Sequence, residues 1–222
     1  MTNSKMVKAI IFDFDGVILE SANIKTESFK EMVSDYPESI ANEFVEYHRQ
    51  HMGISRFVKF RYFFEQILKE DYTKQKEEEW GERFRQITLN KVLNCPFVPG
   101  AEEFLKKHYE KKDLFLFVAS GTPMQELKEE IVKRGLEQYF EGYYGTPDTK
   151  VQITNKILKQ YKIEPDEAIF VGDASADMQA AKSTGLCFVG RNTPDNRIIF
   201  ADVSYKVDNL LQIDKIIQEI EG

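Results

Sequence analysis

The chain has 222 residues, a formal net charge of −7, 42% hydrophobic residues and 30% charged ones. That length suits one large domain or a domain carrying an insertion, and the composition is that of a globular protein. The acidic excess argues against a general nucleic-acid binder, which needs a basic face for phosphates, and no apolar run approaches a membrane span.

In chain order, residues 7–13 read as a buried strand that runs into IIFDFDGVILES, 10–21. Extended residues i and i+2 project to one side, so Asp13 and Asp15 point together. Two like charges ~5 Å apart repel by roughly 3 kcal/mol at an effective dielectric of 20. A fold keeps such a pair if a cation neutralises it, if the two share a proton, or if both face water. Like-charge crowding also raises a carboxyl pKa.

Residues 22 to about 95 read as helices only, with Phe29, Met32, Phe44, Val45, Phe57, Phe60, Phe64, Trp80 and Phe84 as buried positions and Pro37 and Gly53 as breaks. The basic segment 48–61 contains His48, Arg49, His51, Arg56, Lys59 and Arg61. Most of it reads as a solvated helix face. The competing expectation is that Gly53 lets a loop dip inward, so that Arg56 or Lys59 meets an anion. Pro96 and Pro99 then stiffen a return crossing at 95–100.

Beyond it, 113–120 reads as a strand and 123–135 as a helix, with Thr122 as N-cap and Gln125 completing a capping box. Further strands fall at 142–145, 167–173, 186–190 and 203–207, separated by helical patterns around 151–161 and up to Gly185, with a closing amphipathic helix from Leu210. Near-continuously apolar strands alternating with helices imply an α/β protein whose open parallel sheet is covered on both faces. The strand ends bring Asp13, Asp15, Ser120, Gly121, Asp173 and Asp177 to one edge, with Lys150 opening a helix. Carboxylates with one lysine and one hydroxyl make a site suited to Mg²⁺ and an anion.

DFDGV (13–17), ASGT (119–122), Lys150 and GDASAD (172–177) resemble the four ordered motifs of the haloacid dehalogenase-like hydrolase superfamily. The helical insertion resembles its C1-type cap, as in the phosphoglycolate-phosphatase and β-phosphoglucomutase branch. The resemblance implies a Rossmann-like core of 1–20 and 96–222 with an all-helical cap of 21–95. It also implies a Mg²⁺-dependent phosphatase acting on a small phosphorylated metabolite through an aspartyl-phosphate. By the same resemblance Asp13 is the nucleophile and Asp15 the proton donor and acceptor, a role for which Asp15 would retain a proton near neutral pH with the help of like-charge crowding. Mg²⁺ would bridge Asp13, the Asp15 carbonyl and Asp173. Ser120 and the Gly121 N–H hold the phosphoryl oxygens together with Lys150, and Asp177 orients Lys150 or a metal-bound water.

Arg56 is the cap residue expected at the substrate. Asp15 distinguishes the chain from dehalogenases, and Lys25 stands where β-phosphoglucomutases carry a cap histidine. A sugar phosphomutase and a catalytically silent phosphometabolite-binding protein are the alternatives. The expected setting is cytoplasmic, without nucleic-acid or membrane partners, as a monomer or homodimer. The two cysteines, Cys95 and Cys187, are expected to form neither a metal site nor a required disulfide.

Overall fold

A computed structural model describes residues 6–193, 196 and 198–222. Residues 1–5, which belong to the N-terminal stretch behind the cytoplasmic expectation, lie outside the described residues. Six parallel strands form one sheet: β1 Ala9–Phe12, β2 Phe115–Pro123, β3 Gly142–Thr146, β4 Ala168–Gly172, β5 Cys187–Arg191 and β6 Tyr205–Val207. Their spatial order is β3-β2-β1-β4-β5-β6. The chain fills one side of β1 first and then the other, so the crevice between β1 and β4 is a topological switch point. Open α/β sheets bind their ligands at such a point.

Alternation along β1 divides its side chains between two cores. Ile10 and Phe12 pack with Leu116, Val118, Ile169 and Val171 on one face, under helices α5 (Ala101–Lys111), α6 (Met124–Lys133) and α9 (Ile213–Glu221). Ala9 and Ile11 pack with Phe117, Ala119 and Phe170 on the other, under α7 (Lys150–Tyr161) and α8 (Ser175–Thr184). Burial on both faces is why these strands lack a polar alternation. Helix α5 was not anticipated from the sequence. Its signal is Phe104, Leu105 and His108 on one buried stripe of a largely charged segment.

Between β1 and β2 the described chain is helical: α1 Ala22–Met32, α2 Glu38–Gln50, α3 Arg56–Tyr62, a π-helical turn Phe63–Leu68, and α4 Lys74–Asn94. These helices share an aromatic core in which Phe29, Phe44, Phe60, Phe63, Phe84 and Trp80 meet mostly edge to face. Each fully buried phenylalanine stabilises by roughly 1.5–3 kcal/mol, so this segment carries a core of its own. Among the described residues no helix is long and apolar enough to cross a membrane.

One local expectation fails. Helix α6 begins at Met124, and its N-cap, Pro123, has no side-chain cap bond. Thr122 still belongs to β2, and its hydroxyl donates to Asp15 Oδ2 at 3.0 Å. The Thr122 cap and the Gln125 capping box are therefore absent, because the carboxylate across the strand end takes the hydroxyl first.

Candidate active site

The last residue of β1 hands directly to Asp13, whose N–H still donates to Val171 O of β4 at 2.9 Å. Asp13 Oδ1 accepts the Phe14 N–H at 2.7 Å, and Oδ2 lies 2.8 Å from Lys150 Nζ. Lys150 is the first residue of α7, an end fixed by a capping box in which Thr149 and Gln152 exchange backbone and side-chain bonds. Its ammonium also meets Asp177 Oδ1 at 2.5 Å, while Asp177 Oδ2 accepts the Ala174 N–H at the start of α8 at 3.0 Å. One lysine thus ties β1 to α8.

Asp173 follows β4 on the opposite side. Its carbonyl accepts from Asn196 Nδ2 at 2.7 Å, but its Oδ2 is buried without a hydrogen-bond partner among the described residues. Gly16, at φ +79°, turns the chain beside it, and a Cβ there would collide with Asp173 Oδ2. Ser120 Oγ accepts the Thr122 N–H at 3.1 Å, which leaves its own proton for a ligand. A Cβ on Gly121 would come within 2.8 Å of Gly53 O, so the loop that follows α2 does dip onto this edge.

Burial raises the Asp13 pKa to about 7; Lys150 opposes the rise, and Asp177 and Asp15 add to it. Burial, Asp13 and Asp177 push Asp173 well up as well. Burial would lower Lys150, but Asp13 and Asp177 overcome it and hold its pKa above the ordinary lysine value. Asp13, Asp173 and Asp177 offer oxygens within 4.8 Å of one another. Asp173 Oδ2 is the oxygen of the cluster without a partner among the described residues, and Asp13, which precedes it across the crevice, is the carboxylate that would share a cation with it. An all-oxygen set of this kind fits Mg²⁺.

Asp15 departs from expectation. Burial alone would raise its pKa, yet Lys25, the Ser21 and Thr122 hydroxyls and Arg56 outweigh burial and hold the carboxyl below its ordinary value. Ser21 Oγ donates to Oδ1 at 2.6 Å, and Lys25 Nζ stands 3.6 Å from Oδ2. The reading that like-charge crowding keeps a proton on Asp15 is corrected. The two carboxylates diverge, and a lysine from α1 compensates the second.

The basic segment is also corrected in part. Arg61 is exposed, as a solvated face requires, but Arg56, Lys59 and His48 are buried. One cavity is lined by Asp13, Asp15, Ser120, Lys25, Arg56 and Lys59. Arg56 pairs with Glu126 Oε1 at 2.5 Å and lies 4.6 Å from the Phe84 ring centroid. Arg191 was missed as well: it binds Glu20 and the Gly16 carbonyl, clamping the turn after Asp15. Only its place at the end of β5 could have signalled this.

The model of the family described as haloacid dehalogenase-like hydrolase matches residues 10–190. A phosphorylated carbohydrates phosphatase of Thermotoga maritima is 24% identical over 187 residues, covering 81% of this chain and 82% of that protein. A phosphoglycolate phosphatase of Aquifex aeolicus is 29% identical over 195 residues, again 81% and 82%. The crystal structure of a Clostridium difficile β-phosphoglucomutase superposes with a TM-score of 0.77 at 20% identity, covering 97% of each chain, which speaks to the fold. With the motif residues gathered at one sheet edge and the family match running from β1 to β5, the chain is an enzyme that belongs to the haloacid dehalogenase-like hydrolases.

Proposed function

We propose that the chain is a Mg²⁺-dependent phosphatase that hydrolyses a small phosphomonoester through an aspartyl-phosphate, with residues 21–95 acting as the cap. The observation that carries this reading is the buried cluster of three carboxylates, in which one lysine pairs with Asp13 and Asp177 while Asp173 Oδ2 has no partner among the described residues. Buried carboxylates left uncompensated are costly, so the cluster calls for a further cation. The named phosphatases among the relatives support the same reaction class.

In this mechanism Asp13 and Asp173, with the Asp15 carbonyl, would hold the metal. When bound, Mg²⁺ neutralises charge on the phosphoryl oxygens. Ser120 Oγ, the Gly121 N–H and Lys150 orient the phosphoryl group against Asp13. A carboxylate oxygen of Asp13 forms a bond to phosphorus as the bond to the leaving oxygen breaks, splitting one hard hydrolysis into two steps. Asp15, ionised in the empty site, takes up a proton as the substrate anion binds beside Lys25 and Arg56, gives it to the leaving oxygen, and takes one back from the water that opens the aspartyl-phosphate. Its carboxylate plane is fixed for that task by the Ser21 and Thr122 hydroxyls.

Phosphate release from a panel of sugar phosphates, phosphoglycolate and an aryl phosphate, with and without Mg²⁺, tests the proposal. Asp13→Asn is expected to lower turnover by roughly 10⁴-fold or more. Equal release by the wild type and this variant would sink it. Conversion of labelled glucose 1-phosphate to glucose 6-phosphate, in place of glucose and phosphate, would turn the reading toward a mutase.

A further inference from the structure

The cations in and beside the cavity differ in what compensates them. Lys150 faces Asp13 and Asp177, Lys25 faces Asp15, Glu126 and Glu130, and Arg56 is paired with Glu126. Lys59 lies on α3, is 3% exposed, and meets no carboxylate within ion-pair distance among the described residues. Its ammonium instead donates to His48 Nδ1 at 2.9 Å and sits 4.9 Å from the Phe29 ring centroid.

The histidine contact has a direction. Because Nδ1 accepts from Lys59, the neutral imidazole carries its proton on Nε2 and donates it to Thr26 Oγ1 at 3.0 Å. Thr26 passes its own proton to the Ala22 carbonyl at 3.3 Å. Burial and Lys59 lower His48 to about 2, so the ring remains an acceptor at any working pH. A chain of hydrogen bonds through α1, α2 and α3 therefore fixes the Lys59 amine beside the cavity. There burial, with Lys150, Arg56 and Lys25 nearby, pulls its pKa down to about 7, so that an anion brought against it would hold it charged. Two of the three ammonium hydrogens are accounted for by the imidazole and the Phe29 face, which leaves one donor. A buried charge held this way costs several kcal/mol unless an anion reaches it.

We propose that Lys59 is the specificity-determining residue for a second anionic group on the substrate, a carboxylate or a further phosphate, and that His48 and Thr26 position its ammonium. This deepens the phosphatase reading and rests on it: the phosphoryl group sits at the Asp13 edge and the second anion against α3. The space is small, about 70 Å³. A space of this size between the Asp13 edge and α3 favours a short tail between the two anionic groups.

The test measures kcat/KM on matched pairs, phosphoglycolate against ethyl phosphate, and propane-1,3-diol bisphosphate against propyl phosphate. The wild type is expected to favour the anionic member of one pair by at least about tenfold, and the pair concerned identifies the group as carboxylate or phosphate. Lys59→Met is expected to remove that preference, mainly through KM, and Lys59→Arg to restore part of it. If Lys59→Met does not fold by circular dichroism, Lys59→Gln and His48→Phe carry the same comparison.

A wild type that hydrolyses these esters without preference, or a preference that survives in the variants, overturns the assignment while leaving the phosphatase reading standing. An equal loss on both members of each pair also overturns it, because that is the signature of a structural lysine. A wild type that hydrolyses no ester in Mg²⁺ overturns both.

Discussion

The cavity has two unlike walls. At the sheet edge, Asp13, Lys150 and Asp177 are matched within 2.5–2.8 Å, on backbone anchored by adjacent parallel strands and two helix N-termini. On the helical wall, Lys25 lies 3.6–3.9 Å from three separate carboxylates, and Lys59 is left with a neutral imidazole. The first wall has the tight charge matching that the proposed reaction would require. The second spreads charge over three helices, an arrangement in which substitution would change what is bound more than what is done to it.

Lys150→Met attacks the first wall and carries the largest expected effect after loss of Asp13. It leaves Asp13 and Asp177 buried without their shared cation. We expect turnover to fall by about 10²–10³-fold and stability by about 3–5 kcal/mol, read from phosphate release and urea unfolding. A Lys150→Met protein as stable as the wild type would mean that the sheet edge is no more tightly matched than the helical wall.

Much of this contrast follows from how each wall is encoded. Asp13, Ser120 and Asp173 occupy the ends of three apolar strands, and Lys150 follows a capped turn, so spacing along the chain exposes them. The parallel sheet and the insertion were legible for the same reason, since runs such as AIIF and AIFVG are buried on both faces. The helical wall had no such code. His48, Arg56 and Lys59 resemble a solvated basic face until α1 and α4 pack against them, and Lys25 reaches Asp15 only through tertiary placement. The pKa of Asp15 was misjudged on that account: the sequence showed its neighbour Asp13 but not the lysine. Helix α5 was overlooked because its charged residues outnumber its short buried stripe.

Gly121→Ala probes the seam between the walls, with an intermediate effect. The added Cβ would meet Gly53 O at 2.8 Å and the Ile54 carbonyl at 3.2 Å. Both are backbone atoms, so the loop must move, taking the start of α3 with it. We expect kcat/KM to fall by about 10–10²-fold, the size of an orientation loss, with stability reduced by about 1–3 kcal/mol. A paired Lys59→Met measurement sharpens the result: once the loop has moved, discrimination by Lys59 should shrink in the Gly121→Ala background. Unchanged discrimination would show that α3 is positioned independently of the sheet edge.

The smallest expected effect on turnover concerns Glu130, on α6 beneath the helical wall, fully buried, with neither carboxylate oxygen in a hydrogen bond. Burial raises its pKa to about 7; Lys25 opposes the rise, and Asp15 and Glu126 add to it. Because the folded value lies above the ordinary 4.5, its contribution to stability is complete below pH 4.5 and is lost as pH rises through about 7. Glu130→Gln stays neutral throughout. Its stability relative to the wild type should therefore improve between pH 4.5 and 7.5, by on the order of 3 kcal/mol, in urea unfolding at several pH values. Comparing the two proteins at each pH cancels the titrations they share, those of Asp13 and Asp173 included. A difference that does not change with pH would mean that Glu130 is ionised throughout and fully shared with Lys25. The helical wall would then be matched as closely as the sheet edge at that point, and the surplus of positive charge would narrow to Lys59 alone.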